Sequence, residues 1–343
     1  MLRLMQAITL EQQSDFCAAL GSYPLTPALP SMQQADEHWL VVGEQDVILA
    51  RCSLWWRHVP GFPSTVPASF RVEWGKLGLI GHYAAQDPTA AQLLLDQACA
   101  RLTTQHCTLA VGPLDGNTFR PYRLLTERTL GGFTRPHFFL EPDNPDAWPA
   151  QWLHNGFQPL AQYFSALGEL GPPDAQMTIT AQQVAAQGIQ LRPVELIHFE
   201  EEIRRIYQVV SQSFRHNFLY TGIALDEFMA QYAPVRHYVQ PTLALLAEQM
   251  DKPVGFIFAL PDLAQAQRGE PVDTVIVKTV GVLPELSGLG VGGLLVARCQ
   301  AAAYTLGYRH VIHALMFEDN ISRKISERYA RVMRRYTLFG KDL

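Results

Sequence analysis

A chain of 343 residues is long enough for two domains, each burying its own core. Its 48% hydrophobic and 17% charged content is that of an ordinary soluble globular protein. A net charge of −5 without a Lys/Arg cluster excludes nucleic acid and an anionic membrane surface as expected partners.

The opening Met-Leu-Arg-Leu-Met-Gln-Ala has no signal-peptide core, and no apolar run reaches the ~18 residues of a membrane span, so a cytoplasmic protein is expected. Residues 1–37 predict a short strand, a helix around 10–20 and a Pro-rich loop with Pro24, Pro27 and Pro30. Residues 38–43 and 46–55 read as a hairpin closed by Glu44 and Gln45. Next come a strand over 75–83, an amphipathic helix over 89–102, a strand over 108–111, a helix over 148–156 and a strand over 161–167. Gly168 to Gln176 carries the Gly and Pro that break regular elements. This predicts a first domain over 1–170, a linker over 171–188 and a second domain over 189–343. In the second, helices over 199–214 and 225–232 precede a hairpin of 242–247 with 253–260. The five cysteines are scattered and form no C-x-x-C pair, so they read as buried hydrophobes, and no metal site is expected.

The most informative stretch begins at Val275. A β-branched run to Val282 reads as a strand, Gly288, Gly290, Gly292 and Gly293 make a turn, and an apolar-periodic helix comes after it. Glycines let a ligand approach the backbone, and the first-turn N–H groups of a helix have no internal partner, so the pattern suits a pyrophosphate. Gly288, Gly290 and Gly293 match the G-x-G-x-x-G dinucleotide fingerprint, but that fold needs an acid on the next strand. Residues 309–315 carry none, and only 50 residues lie beyond Gly293.

Val280-Gly-Val-Leu-Pro284 with Ser287-x-x-Gly290-x-Gly292 resembles motif A of the GNAT superfamily, the acetyl-CoA-dependent N-acyltransferases. Residues 320–329 resemble its motif B helix, and 335–339 its closing strand. The family has Gln or Arg where this chain has Ser287. The resemblance implies an α/β fold of mixed sheet and flanking helices. It also implies that the backbone of Val280, Gly281 and Val282 holds the pantetheine arm, and that Gly288, Leu289, Gly290, Val291, Gly292 and Gly293 hold the pyrophosphate of acetyl-CoA. Asn320 would reach the pantetheine, cap the helix, or do both.

The two halves repeat each other sparsely. At an offset of 200, Gly81 matches Gly281, Leu94-Leu95 matches Leu294-Leu295, and Cys99 matches Cys299. Opposite Ser287 to Gly293 the first half has Asp87-Pro-Thr-Ala-Ala-Gln-Leu93, with an anion where a phosphate would sit. The chain thus resembles a tandem GNAT protein with a degenerate first copy.

In the family a Tyr seven residues after the Asn often protonates the leaving thiolate. Position 327 is a Glu here, and Tyr329 is the nearest Tyr, roughly 200° away on a helix. Glu318 or Asp319 is a candidate base acting through water. Acceptor selection is expected from the link over 214–222, through His216, Asn217 and Tyr220. His310 and His313 stand i, i+3 in a strand and cannot chelate one metal. The expected function is acyl transfer from acetyl-CoA to a primary amine of a small molecule; the alternative is a non-catalytic acyl-CoA-binding module.

Overall fold

A computed structural model describes residues 2–8, 16, 34–64, 66–71, 74–130, 132, 135–172, 175–319 and 322–343. Apart from Phe16, the helix expected over 10–20 lies outside them, as do Cys17 and Asn320.

The first half contains β1 (Arg3–Gln6), β2 (Glu37–Val42), β3 (Ile48–Trp55), β4 (Leu77–Ala85), α1 (Pro88–Thr104), β5 (Leu109–Gly112), β6 (Leu124–Glu127), α2 (Ala147–His154) and β7 (Gln158–Glu169). Then come α3 (Ala175–Ala186), β8 (Ile189–Pro193), α4 (Phe199–Ser213), α5 (Leu225–Tyr232), β9 (Ala244–Gln249), β10 (Lys252–Pro261) and α6 (Leu263–Gln267). The chain ends with β11 (Thr274–Val282), α7 (Val291–Thr305), β12 (His310–Phe317), α8 (Ser322–Ser326) and β13 (Arg331–Asp342). Helix α3 falls inside the stretch expected as linker. Gly171 and the Pro pair stop before it, and residues 175–186 contain neither Gly nor Pro, so nothing local prevents a helix.

Among the described residues the strands form one sheet in the order β1-β2-β3-β4-β5-β13-β7-β12-β11-β10-β9-β8, with β6 attached to β13. Only β4–β5 and β11–β12 are parallel; each pair encloses a helix, α1 or α7, as a parallel connection requires. The halves exchange their closing strands. β7 runs beside β12, while β13 runs beside β5 and β7. Each half therefore completes the other's sheet.

Apolar faces explain the layering. Helix α1 buries Ala91, Leu94, Leu95, Ala98 and Leu102 against β2, β3 and β4. Helices α4 and α7 cover β10 and β11 around Ile203, Ile206, Phe256, Leu295 and Cys299. Fully burying each such Leu, Ile or Phe side chain contributes about 1.5–3 kcal/mol. Cys52, Cys107 and Cys299 are buried and Cys99 is part-buried, all four as free thiols. A third core of Leu109, Val111, Leu160, Tyr336 and Leu338 lies along the exchanged strands.

Candidate functional site

The site starts where two parallel strands part. β11 and β12 pair from Thr274–His310 to Val277–His313. Beyond that, β11 stays with β10 to the Val282–Gly255 pair, and β12 stays with β7 to Phe317–Tyr163. Both strands are irregular at the parting. Lys278 is an extra residue in β11, because the register with β10 steps from Val277–Ala259 to Thr279–Phe258. In β12 the register with β7 slips between His313 and Met316, and Leu315 has φ 58°. Among the described residues, Val280, Gly281 and Val282 are thus paired on one edge only. Their other edge faces a cavity of about 2670 Å³ lined by both halves.

The glycine loop forms one end of that cavity. Gly288 (φ 86°) and Gly290 (φ 82°) are left-handed, a conformation that costs other residues about 1–2 kcal/mol. Gly290 is the N-cap of α7 and offers no side-chain cap, so the N–H groups of the first turn keep their capacity for an external acceptor. A Cβ added at Gly288 or Gly293 would meet nothing within 4 Å, which leaves room for a ligand at the loop. An anion here would also gain from the helix dipole. Lys324 and Arg328, both exposed, line the same cavity. Helix α3 lies over the loop, with Thr180 Cγ2 at 3.1 Å from where a Gly290 Cβ would stand.

Deeper in, titratable groups gather around the parting. His313 is 4% exposed and bonds Ser326 Oγ at 2.8 Å and Gln300 Nε2 at 2.9 Å. Burial lowers its pKa to about 4, so it is neutral near pH 7. Burial lowers the Lys278 amine to about 8, and the Arg123 guanidinium pushes the same way. Glu141 is raised to about 7 by burial, although Arg334 and the Tyr336 hydroxyl hold it. Desolvation lifts the Tyr163 and Tyr336 hydroxyls well above 10.

Most of the residues singled out in the sequence meet at this cavity. Val280 to Val282 line it beside the parting, and Gly288 to Gly293 line its glycine end. His216, Asn217 and Tyr220 line the wall formed by the link after α4, where Tyr220 packs edge-on to Phe119 at 5.8 Å. Tyr329 also lines the cavity, its ring 6.5 Å from His313. The helix expected over 320–329 is described only as the short α8. Tyr329 lies in the turn beyond, its N–H bonded to Ser326 O, so the 200° helical rotation does not fix where its hydroxyl sits. Glu318 is outside the cavity lining and ion-paired with Arg335 at 2.8 Å. Sequence reasoning passed over Lys278 and Arg123, and weighed His313 only as a metal ligand. Lys278 did carry a signal, a charged residue inside the apolar run Val275-Ile-Val-Lys-Thr-Val.

The first half shows the same frame closed. β4 and β5 pair to Leu79–Val111. The chain after β5 then folds back into the gap: Leu114 N donates to Ile80 O at 2.9 Å and His82 N to the Asp115 carboxylate at 2.6 Å. A Cβ on Gly81 would lie 2.5 Å from Leu114 O, so the backbones already touch there. Helix α1 begins at Pro88, where the second half at an offset of 200 still has its glycine loop. Asp87 caps it by accepting from Ala90 N at 2.9 Å. One first-turn donor is therefore used, and a carboxylate already occupies the end of the helix where a phosphate would dock.

No protein-family model matches the chain, and a search of curated proteins finds no relative. Solved structures do match in shape. A tandem GNAT protein from the clavulanic acid biosynthesis pathway superposes with TM-score 0.51 at 10% identity, over 100% of this chain and 98% of that one. A GCN5-related N-acetyltransferase from Anabaena variabilis gives 0.51 at 9%, over 99% and 72%. A fungal multi-domain protein with a GCN5-related glucosamine N-acetyltransferase region gives 0.52 at 13%; it covers 99% of this chain, which spans only 38% of that protein. The chain shares the fold of these GCN5-related N-acetyltransferases, with its two halves joined in a single sheet among the described residues.

Proposed function

We propose that the chain transfers an acyl group, with acetyl-CoA as donor, to a primary amine of a small molecule. The observation that carries this reading is the uncapped glycine-rich N-terminus of α7 lining the same cavity as the parting of β11 and β12. The residues present fit the coenzyme. Open space at Gly288 and Gly293 accepts the pyrophosphate against backbone N–H groups, and the one-sided edge of Val280 to Val282 accepts an extended amide chain. Lys324 and Arg328 add positive charge near the phosphates.

Bound acetyl-CoA supplies the thioester. The amine nitrogen forms a bond to the acyl carbon, the carbon–sulfur bond breaks, the amine gives up a proton and the thiolate takes one. In this chain Tyr329, on the cavity wall, is the candidate proton donor to sulfur. His313, neutral and fixed by Ser326 and Gln300, orders the wall beside it. Helix α3 and the link after α4 both contribute to the cavity wall around the acceptor.

A second reading, a non-catalytic acyl-CoA-binding module, is favoured by one feature: Glu318, a candidate base, is taken up by Arg335. The deciding experiment is thiol release from acetyl-CoA with a panel of amines, alongside calorimetry with coenzyme A. Turnover supports the enzyme. Tight coenzyme binding without turnover on any amine supports the module, and no binding sinks both.

A further inference from the structure

Most buried charges among the described residues are matched; on the cavity wall, buried Arg123 and part-buried Lys278 are not. Arg123, between β5 and β6, is 7% exposed. Its guanidinium lies against the rings of both Tyr122 and Tyr163, with Cζ 4.1 and 4.3 Å from their centroids. Nη1 donates to the Tyr122 hydroxyl at 2.8 Å and to the Leu315 carbonyl at 3.3 Å, both neutral acceptors. Nε is buried and has no hydrogen-bond partner among the described residues.

Lys278, the extra residue of β11, lines the same cavity. Arg123 is the charged neighbour acting on its amine, and no carboxylate among the described residues offsets it. Glu141, a buried acid of the same wall, is ion-paired with Arg334 at 2.8 Å and accepts from the Tyr336 hydroxyl. Holding two like charges in a desolvated site is costly without a counter-ion. The fold nevertheless fixes Arg123 firmly, by ring stacking and two hydrogen bonds. An anion entering the cavity would supply the missing charge.

We propose that Arg123 and Lys278 form an anion subsite at the parting of β11 and β12, and that it holds the carboxylate of an amine-bearing ligand with an apolar body. Naming that ligand as the acceptor rests on the acyl-transfer reading above; the subsite itself does not. The guanidinium fork matches a planar carboxylate, and the ammonium adds a point charge. Phosphates have their own place at the glycine loop. The apolar body is matched by the neighbouring rings, among them Phe218 and Phe317 stacked at 5.7 Å.

The test is calorimetry on the full chain, with and without coenzyme A, using matched probes: L-phenylalanine against phenethylamine, and L-leucine against 3-methylbutylamine. The acid of each pair should bind at least about tenfold tighter than its amine. Lys278→Met and Arg123→Gln should each abolish that preference while coenzyme A binding is unchanged; Arg123→Lys should keep part of it. Equal binding of acid and amine, no binding of any probe up to its solubility, or an intact preference in Lys278→Met would overturn the proposal. Acid-selective binding in a chain that fails to bind coenzyme A would leave the subsite standing and remove the acyl-transfer reading.

Discussion

Lys278→Met should make the protein more stable, although it removes a charge from the wall of a functional cavity. The folded chain holds the amine at a pKa of about 8, against 10.5 for the free side chain. At about 1.36 kcal/mol per pH unit that gap corresponds to about 3 kcal/mol, and hydration from the cavity reduces it to about 1–2 kcal/mol. The sign comes from proton counting. Below pH 8 both states are protonated, and the folded state bears the full desolvation cost. Between pH 8 and 10.5 the unfolded chain holds a proton that the folded chain has released, so wild-type stability rises with pH. The surrounding groups are quiet in that window: His313 titrates near 4, Glu141 near 7, and Tyr163 and Tyr336 well above 10. Urea unfolding at about pH 7 and about pH 10 should show Lys278→Met ahead by about 1–2 kcal/mol at the lower pH and near parity at the higher. Equal stability at both values, or a mutant weaker at neutral pH, would show that Lys278 is already compensated.

The same geometry makes three more substitutions informative. Gly290→Ala forces a left-handed residue and a 3.1 Å contact with Thr180, so it should lower stability by about 1–2 kcal/mol and weaken coenzyme A severalfold, read by calorimetry. Tyr329→Phe should lower kcat by about 10²–10⁴-fold if its hydroxyl protonates the thiolate, and an unchanged rate removes it from the chemistry. His313, held near pKa 4, gives stability that is present above pH 6.5 and lost as pH falls towards 4, by up to about 3 kcal/mol; His313→Gln should flatten that slope in acid unfolding.

Local signals carried much of the fold. The run from Val275 and the glycine turn predicted a strand, a loop and a helix, observed as β11 and α7; residues 225–232 form the helix α5 expected there. Gaps appear where the information is not local. The exchange of β7 and β13 depends on pairing between strands more than a hundred residues apart, which no periodicity encodes. Helix α3 was hidden because Gly168 to Pro173 signals a break; residues 175–186 pack both on β8, the next element, and on α7, a hundred residues further on. The glycine loop was legible because backbone chemistry writes itself into composition. Arg123 was not: its place beside Lys278 comes from the fold of the first half bringing it to a strand of the second.

The central claim is that coenzyme A sits with its phosphates on the loop at the start of α7, once per chain. Calorimetric titration of coenzyme A into wild type and Gly292→Asp tests it most directly. One site per chain in the wild type, abolished by an anion placed beside the first turn of α7, is the predicted result. Undiminished binding in Gly292→Asp would contradict it and place the phosphates elsewhere.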